Sequence, residues 1–394
     1  MADQFQILIL NAISATGLKR LPAERYVTGK EIAKPDAILV RSADMHSMDI
    51  PKSVLAIGRA GSGTNNIPVK AMSARGVPVF NAPGANANAV KELVLAGMLL
   101  AARNIGGAMK FVSGLDPADA EMEKKVEGGK KTYAGFELAG HTLGVIGLGK
   151  IGCLVADAAI KLGMHVIGYD PEITVDAAWS LPSQVKKANG LSDVLKHADF
   201  LTLHVPLVDA TRKMINGKSL ETMKHGAVLL NFAREGVVEE AAVLAALEAK
   251  KLSTYVCDFP SAHVNSHPKV IALPHLGAST AEAEENCAAM VADQVRDFLQ
   301  DGNIQNAVNF PNVVMPRESG FRIAIANANV PNMVGQISTA MAEAKLNIHN
   351  MMNKSKGDVA YTLVDVDSKV PKKVIDAIAK IEGVLHVRYL PVEG

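Results

Sequence analysis

The sequence predicts an α/β protein with two parallel, doubly wound domains and a C-terminal ferredoxin-like βαββαβ domain. Two patterns support this prediction. Continuous apolar runs alternate with helical segments along most of the chain, which is typical of parallel strands that helices cover on both faces. The last block of the chain, roughly 75 residues, changes to the order strand, helix, strand, strand, helix, strand, which is that of a ferredoxin-like domain.

The N-terminal part of the chain contains the first series of predicted strands. Apolar runs occur at residues 7–10, 37–40, 54–57 and 77–80. Because these runs are continuous, both faces of each strand are expected to be buried, as in a parallel sheet. A helix is predicted to follow from about Asn86.

A second series of strands and helices predicts the larger parallel domain. Its strands are expected at residues 143–146, 165–169, 200–203, 228–230, 255–256 and 270–272. The charged stretch before it, residues 113–135, is expected to form a solvated loop or a short helix. A long helix over about 280–300 follows the series. A break then separates off the C-terminal domain, with strands predicted at 321–328, 347–353, 359–365 and 384–389 and helices at 331–344 and 371–381.

Composition and charge restrict the possible partners. With 41 basic and 40 acidic side chains the net charge is +1, so no general affinity for nucleic acid or an anionic membrane is expected. The longest apolar run, residues 93–102, is too short to span a bilayer, which takes about 20 residues. The 3 cysteines share no metal-ligand or redox spacing, which predicts buried thiols, a cytoplasmic location and no metal site. Residues 1–6 lack the basic and apolar segments of a signal peptide.

A glycine-rich turn lies between the predicted strand 143–146 and a predicted helix over 151–162. Glycines allow backbone N–H groups to approach a pyrophosphate, and the helix N-terminus adds partial positive charge. The next strand ends at Asp170, whose carboxylate can accept hydrogen bonds from ribose hydroxyls and would repel a 2′-phosphate, so NAD is predicted over NADP. The alternative is a packing turn with an ordinary acidic turn residue. The turn residues expected at the dinucleotide are Gly147, Gly149, Lys150, Ile151 and Gly152.

Two further segments contain candidate catalytic side chains. Arg234 lies just after the predicted strand 228–230, and His275 follows the apolar run 270–273. Oxidation of a 2-hydroxy acid needs a cation for the carboxylate, for which arginine is suited, and a base for the hydroxyl proton, for which histidine titrates in the right range. From spacing alone, a surface ion-pair partner and a structural histidine remain alternatives.

The segments 147–152, 231–236 and 275–280, in this order, closely resemble the D-isomer-specific 2-hydroxyacid dehydrogenase family, over about residues 5–310. The resemblance implies an NAD-dependent dehydrogenase in which Arg234 binds the substrate carboxylate and carbonyl and His275 is the acid and base. It also implies that a set of residues surrounds NAD, namely Ser62, Ile151, Asp170, Val205, Ala233, Asp258 and Gly277.

The same resemblance implies a Rossmann-like NAD domain inserted into a flavodoxin-like substrate domain. The expected boundaries are 1–88 and 283–316 for the substrate domain and 89–282 for the NAD domain. The remaining residues, 317–394, resemble an ACT domain.

Two N-terminal segments predict a phosphorylated substrate. Arg41 and Arg59 lie at the ends of predicted strands, on the side expected to face the NAD domain, and two guanidinium groups there could bind a phosphate. Solvated loop charges are the alternative. The segments 40–43 and 57–63 resemble the branch of the family that oxidises D-3-phosphoglycerate in the first step of serine synthesis, which implies that Arg41, Ser42, Arg59 and Arg234 bind this substrate.

The sequence departs from the family pattern near the catalytic histidine. A Glu-Pro pair, whose Glu orients the histidine, is usual there, but the chain has Asp258-Phe259-Pro260-Ser261, and no Glu occurs between Lys250 and His275. Asp258 could orient His275 or contact the nicotinamide end of NAD. Glu235, where the family usually has Gly, is a second departure. Two other functions therefore stay open: a dehydrogenase of another D-2-hydroxy acid, and a non-catalytic NAD-sensing protein.

The C-terminal domain suggests regulation. Asn327, Asn329 and Asn347 resemble the polar positions with which ACT domains bind an amino acid at a domain–domain interface. The resemblance implies L-serine as a possible effector and a homodimer or homotetramer as the assembly. An assembly module without an effector is the alternative.

Overall fold

The computed structural model describes residues 4–392, and residues 1–3 and 393–394 lie outside the described part. The chain divides into two compact units. The terminal unit comprises Met1–Asn86 and Ala281–Gly394, and the central unit comprises Ala87–Thr280. Two predictions extend beyond the described residues. The outer domain boundaries were predicted at residues 1 and 394, and residues 1–3 belong to the segment that was predicted to lack a signal peptide.

The strands of the described residues form three sheets. In chain order they are β1 (Phe5–Ile9), β2 (Tyr26–Gly29), β3 (Ala37–Val40), β4 (Ala56–Arg59), β5 (Val79–Phe80), β6 (Thr142–Ile146), β7 (His165–Tyr169), β8 (Lys186–Lys187), β9 (Phe200–Leu203), β10 (Ala227–Asn231), β11 (Leu252–Cys257), β12 (Val270–Ala272), β13 (Phe321–Ala328), β14 (Ile348–Lys356), β15 (Val359–Val366) and β16 (Val384–Pro391).

The helices connect these strands and cover the sheets. In chain order they are α1 (Ala15–Leu18), α2 (Val69–Ala74), α3 (Ala87–Arg103), α4 (Ile105–Ser113), α5 (Met122–Gly129), α6 (Lys150–Lys161), α7 (Val175–Ser180), α8 (Leu191–His197), α9 (Gly217–Thr222), α10 (Glu240–Glu248), α11 (Ala262–Asn265), α12 (Ala281–Asp301), α13 (Met333–Glu343) and α14 (Lys372–Ala379). Residues 4–392 also contain 3₁₀ turns at Lys130–Tyr133 and Glu235–Val237.

The two larger sheets confirm the predicted α/β fold class. The sheet of the terminal unit has the order β2-β1-β3-β4-β5 with parallel pairs throughout, which is the flavodoxin-like order. The sheet of the central unit has the order β12-β11-β10-β9-β6-β7-β8, in which β6 to β12 follow the Rossmann order 3-2-1-4-5-6 with one added edge strand. Strand β2 was not predicted, because two of its four residues are exposed and no apolar run marks it.

The C-terminal antiparallel sheet has the order β14-β15-β13-β16, as predicted for a ferredoxin-like domain. Alternate residues of β13 point to opposite faces. Ile323 and Ile325 belong to a core that this sheet shares with α13 and α14. Ala324 and Ala326 belong to the core that contains Phe298 of α12. The C-terminal domain is therefore packed within the terminal unit through one face of its sheet.

Arginine side chains attach this sheet to the last turn of α12. Arg322 and Asp365 are both fully buried and form a bidentate pair, with Nε–Oδ1 and Nη2–Oδ2 distances of 2.6 and 2.8 Å. Arg322 also donates to the carbonyl oxygens of Asp301, Met315 and Pro316. Arg388 donates to the carbonyls of Phe298 and Leu299 and lies over the Phe298 ring. Cations at a helix C-terminus satisfy its unpaired carbonyls and favour its dipole.

The charged segment before β6 forms short helices, one of the two structures predicted for it. Helices α4 and α5 have no buried residue, and α4 exposes Met109 and Val112. Within residues 4–392, no single helix is long and apolar enough to cross a membrane. Helices α3 and α4 have the length and composition of a membrane span only when the two are taken together. The chain bends by 69° at the break between them.

Candidate functional site

Most of the candidate residues of the central unit lie at one edge of its sheet. The strands of this sheet are parallel, so their carboxyl ends meet at the same edge, where open α/β sheets bind ligands. Six of these strands are followed by a candidate residue or turn at this edge. The glycine turn follows β6, Asp170 follows β7, Val205 follows β9, Arg234 follows β10, Asp258 follows β11 and His275 follows β12. The order reverses between β6 and β9, which is the switch point at which dinucleotides bind.

Two glycines of the turn after β6, Gly147 and Gly152, lie where a side chain would clash with the backbone. Gly147 has φ +89°, and a Cβ there would lie 2.5 Å from the His204 carbonyl oxygen. A Cβ on Gly152 would lie 2.0 Å from the Gly147 carbonyl oxygen, so this glycine allows α6 to pack against the turn. A Cβ on Gly149 would meet no atom within 4 Å. The space beside Gly149, at the start of α6, therefore fits a pyrophosphate that approaches the backbone closely.

Asp170 lies directly beside the glycine turn. Its Oδ2 accepts a hydrogen bond of 2.8 Å from the Leu148 N–H, and its Oδ1 accepts one of 2.9 Å from the Glu172 N–H. The carboxylate thus orders the turn and remains partly exposed. This is the position from which a carboxylate can meet ribose hydroxyls.

The segment after β9 contains a residue that the sequence did not single out. His204 follows Leu203, beside Val205, and its Nε2 lies 3.0 Å from the Thr202 hydroxyl. Burial lowers the pKa of His204 to about 3, so the imidazole is neutral at ordinary pH. His204 is therefore a neutral polar group next to the glycine turn, and only its position at a strand end could have indicated it.

Arg234 is exposed on a loop that Asn231 orders. Asn231 is fully buried at the end of β10. Its side chain accepts a hydrogen bond from the Ala233 N–H at 3.1 Å and donates to the Arg234 carbonyl at 3.0 Å. The Arg234 Nη1 donates to the Ala233 carbonyl at 2.7 Å. Sequence reasoning named Arg234 but missed the ordering role of Asn231, which an asparagine before a turn suggests.

His275 has an unusual backbone conformation that Asp258 stabilises. His275 has φ +52°, in the left-handed region that non-glycine residues rarely adopt. The buried Asp258 carboxylate accepts hydrogen bonds from the N–H groups of Leu276 and Gly277 at 2.7 and 2.9 Å. The His275 ring is exposed and lies 4.6 Å from the Phe259 ring, centroid to centroid. Within residues 4–392, no carboxylate forms a hydrogen bond with this ring. Asp258 therefore orders the His275 loop through the backbone N–H groups of the loop.

In the terminal unit, the predicted phosphate-binding arginines lie at adjacent strand ends. Arg41 follows β3, and Arg59 is the last residue of β4. The Arg59 Nε donates to the Arg41 carbonyl at 3.0 Å. Arg59 lies against Gly61, where an added Cβ would be 2.0 Å from the Arg59 Nη1. Asn11 accepts from the Arg41 N–H and donates to the Ser42 hydroxyl, so it holds these two neighbours in place.

Ser62 lies one residue beyond Gly61 in the same unit. Its hydroxyl lies 3.4 Å from the Ala82 carbonyl and 3.3 Å from the Asn86 side-chain oxygen. Ser62 is partly exposed at the end of the sheet at which Arg59 lies.

The strand-end cluster of the terminal unit contains an acidic residue that the sequence analysis missed. Glu284, in the first turn of α12, lies 2.6 Å from the Arg41 Nη2 through its Oε1. The hydrogen bond from Arg41 lowers the pKa of the Glu284 carboxyl. Burial raises the pKa of the nearby Cys287 thiol, which the charges of Arg59 and Arg41 partly offset. Arg41, Arg59 and Glu284 therefore form one charged cluster above a buried thiol.

The three candidate effector residues lie at two ends of the C-terminal sheet. Asn327 is buried in β13, and Asn329 bonds the turn at Gly357 and Asp358. Asn347 instead bonds Asp367, beyond the other end of β15. The eight residues of β15 separate the two ends by roughly 25 Å. One chain alone therefore does not bring the three asparagines together.

A comparison with protein families matches the central unit. Residues 105–277 match the model of the D-isomer specific 2-hydroxyacid dehydrogenase, NAD binding domain. The match includes the glycine turn, Asp170, Arg234 and His275. The chain therefore contains the NAD-binding domain of this family.

Curated relatives extend the similarity over most of the chain. The D-3-phosphoglycerate dehydrogenase of Haemophilus influenzae is 33% identical over 349 residues, which cover 86% of this chain and 81% of that protein. The D-3-phosphoglycerate dehydrogenase of Methanocaldococcus jannaschii is 38% identical over 293 residues, 72% of this chain. The aligned part spans about half, 53%, of the length of the M. jannaschii protein.

A solved structure shares the fold. The NAD+-bound 3-phosphoglycerate dehydrogenase of Entamoeba histolytica aligns with a TM-score of 0.59 and 23% identity, covering 78% of this chain and 99% of that one. At this identity the likeness supports the architecture of two parallel α/β domains.

Proposed function

Because the chain belongs to the D-isomer-specific 2-hydroxyacid dehydrogenase family, we propose that it oxidises D-3-phosphoglycerate to 3-phosphohydroxypyruvate with NAD, the first step of serine synthesis. The observation that carries this proposal is the placement of Arg234 and His275 at the sheet edge that also holds the glycine turn and Asp170. The two D-3-phosphoglycerate dehydrogenases described above support the choice of substrate.

Each residue has a separate task in this reaction. The exposed Arg234 guanidinium binds the C1 carboxylate and orients the substrate. An imidazole nitrogen of His275 accepts the proton of the C2 hydroxyl as the C2–H bond breaks. NAD, when bound, supplies the hydride acceptor. Asp258 keeps the His275 loop in its unusual conformation, so it acts as a positioning residue.

The remaining cofactor and substrate contacts are part of the same proposal. The dinucleotide is surrounded by Val205, Ala233 and the turn residues, and Asp170 binds its ribose. The turn residues are Gly147, Gly149, Lys150, Ile151 and Gly152. Ser62 and Gly277 also belong to the set of residues proposed to bind NAD. Arg41 and Arg59, with Ser42 beside them, bind the phosphate of the substrate.

An Arg59→Ala substitution tests the phosphate assignment. We expect the KM for D-3-phosphoglycerate to rise by about ten- to a hundredfold, because hydrogen bonds to charged groups contribute ~1.5–3 kcal/mol. The KM for D-glycerate, which has no phosphate, should stay near its wild-type value. Arg25→Ala, an exposed arginine that precedes β2 at the opposite end of the sheet, is the matched control. The assignment would be contradicted if Arg59→Ala raised the KM for both substrates equally. It would also be contradicted if neither Arg41→Ala nor Arg59→Ala changed the KM for D-3-phosphoglycerate.

We also propose a cytoplasmic location and a homo-oligomer. The three cysteines are buried and free, as is usual in a reducing compartment. An exposed apolar surface of α4 and the segment after α5 supports self-association, because such surfaces mark interfaces. Its exposed residues are Ile105, Met109, Val112 and Phe136.

In a homodimer, the C-terminal asparagines of two chains could form an effector site together. A two-fold axis can place Asn329 of one chain next to Asn347 of its partner, and such a pair of amides could bind an amino acid such as L-serine at the interface. We propose this arrangement as the effector site.

A mixing experiment tests that site. Asn329→Ala and Asn347→Ala should each abolish inhibition by L-serine, because each removes one half of every site. Purified mixed dimers, with one chain of each variant, should regain up to half of the response, since one of their two sites is intact. A wild type that does not respond to serine, or mixed dimers without any recovery, would contradict the proposal. Asn350→Ala is the control, because Asn350 lies in β14 only three residues after Asn347.

A further inference from the structure

The charged cluster at the ends of β3 and β4 contains a negatively charged side chain, the carboxylate of Glu284. The Glu284 Oε1 lies 2.6 Å from the Arg41 Nη2, and the two side chains are 42% and 29% exposed. Both residues belong to the terminal unit, and Glu284 sits in the first turn of α12, where the helix dipole favours a negative charge. The contact therefore joins the end of β3 to the start of α12 within this unit.

The contact uses only part of the arginine. A guanidinium carries five N–H donors, and Glu284 contacts it through a single nitrogen. Among the described residues, no other side-chain hydrogen bond of Arg41 occurs besides this one. Arg41 is thus held in place with most of its donors available, but with its charge largely balanced.

We propose that Glu284 is an internal competitor for Arg41 that sets the affinity of this cluster for the substrate phosphate. This inference rests on the proposed function, in which Arg41 and Arg59 bind the phosphate. In the free protein, the carboxylate of Glu284 occupies one donor of Arg41. An incoming phosphate displaces it or binds beside it.

Both routes weaken the binding of a phosphate. If Glu284 is displaced, the ligand must first break an ion pair. If Glu284 stays, two negative groups share one guanidinium and repel each other. The cluster of Arg41, Arg59 and Glu284 has a formal charge of +1, whereas the arginines alone would have +2. A dianionic phosphate is therefore held less tightly than it would be without the charge of Glu284, which favours release of a phosphorylated product.

A Glu284→Gln substitution tests the proposal, because it removes the charge and keeps the size of the side chain. We expect the KM for D-3-phosphoglycerate, and the inhibition constant of inorganic phosphate, to fall by about two- to fivefold, the range for a partly exposed ion pair. The KM for D-glycerate should not change. The difference from wild type should shrink at high salt, since partly exposed charges are screened.

Glu285→Gln is the matched control, because Glu285 is the next residue of the same helix and is exposed. It should leave both constants unchanged. Glu284→Ala should reproduce the effect of Glu284→Gln if the charge is responsible. In an Arg41→Ala background, Glu284→Gln should have little further effect on either constant, because the guanidinium for which Glu284 competes is absent.

The outcomes separate this inference from the proposed function. If Arg41→Ala leaves the KM for D-3-phosphoglycerate unchanged, the phosphate assignment itself fails. If Arg41→Ala raises that KM but Glu284→Gln also raises it, Glu284 orients Arg41 and the competitor role is overturned. An unchanged KM in Glu284→Gln, beside a raised KM in Arg41→Ala, overturns it as well.

Discussion

A His275→Ala enzyme is expected to lose about 10²–10⁴-fold in kcat, with a much smaller change in the KM for the hydroxy acid. In the proposed mechanism the imidazole accepts the hydroxyl proton in the transition state, and a positioned general base contributes a factor of this size. Because the same proposal assigns substrate binding to the arginines, we expect the KM to change little. Steady-state kinetics with D-3-phosphoglycerate and NAD measure both constants.

His225→Ala is the control for this loss. His225 is exposed and precedes β10, at the end of the sheet opposite to His275, so its removal should not alter kcat. Because Asp258 orders the His275 loop, Asp258→Ala should also lower kcat, although His275 is still present. A His275→Ala variant with a kcat near that of wild type would exclude His275 as the base.

An Arg322→Met substitution is expected to destabilise the C-terminal sheet by about 3–5 kcal/mol, because it leaves a buried carboxylate without its partner. Asp365 is fully buried, and the carbonyls of Asp301, Met315 and Pro316 lose their donor as well. The loss should appear as faster hydrogen exchange of the backbone amides of β13 and β15. The amides of β6 and β10, in the central unit, should keep their protection.

Lys372→Met is the matched control in the same domain. Lys372 and Asp376 form an exposed pair one turn apart on α14, and such pairs contribute about 0.3–0.5 kcal/mol. The control should leave exchange in β13 and β15 almost unchanged. Equal protection in Arg322→Met and Lys372→Met would show that the buried pair does not hold the sheet.

The sequence predicted most of the fold, for physical reasons that particular elements illustrate. Strands such as β3 and β9 are buried on both faces, so they appear as continuous apolar runs. The glycine turn was recognisable because Gly147 and Gly152 lie where a side chain would clash with a backbone carbonyl. Strand β2 was missed because it is short and half exposed, and its place in the sheet depends on its pairing with β1.

The places of Arg234, His275 and Asp170 in the sheet were predictable, because each of them follows a strand that the sequence predicted. Contacts between distant segments were not predictable. Glu284 meets Arg41 only because α12 returns to the N-terminal sheet, more than 240 residues later in the chain. Similarly, the bonds from Asp258 to the backbone of Leu276 and Gly277 depend on the loop conformation, which the missing Glu did not reveal.

The most direct test of the proposed activity is NADH formation by the purified protein. NAD and a panel of D-2-hydroxy acids, phosphorylated and unphosphorylated, are supplied in turn, and the NADH absorbance is followed. We expect NADH to form with D-3-phosphoglycerate at a kcat/KM well above that of D-glycerate, D-lactate or D-malate. A higher kcat/KM with an unphosphorylated acid would contradict the substrate assignment. The absence of NADH with every acid would contradict the enzymatic activity itself and favour a protein that only binds NAD.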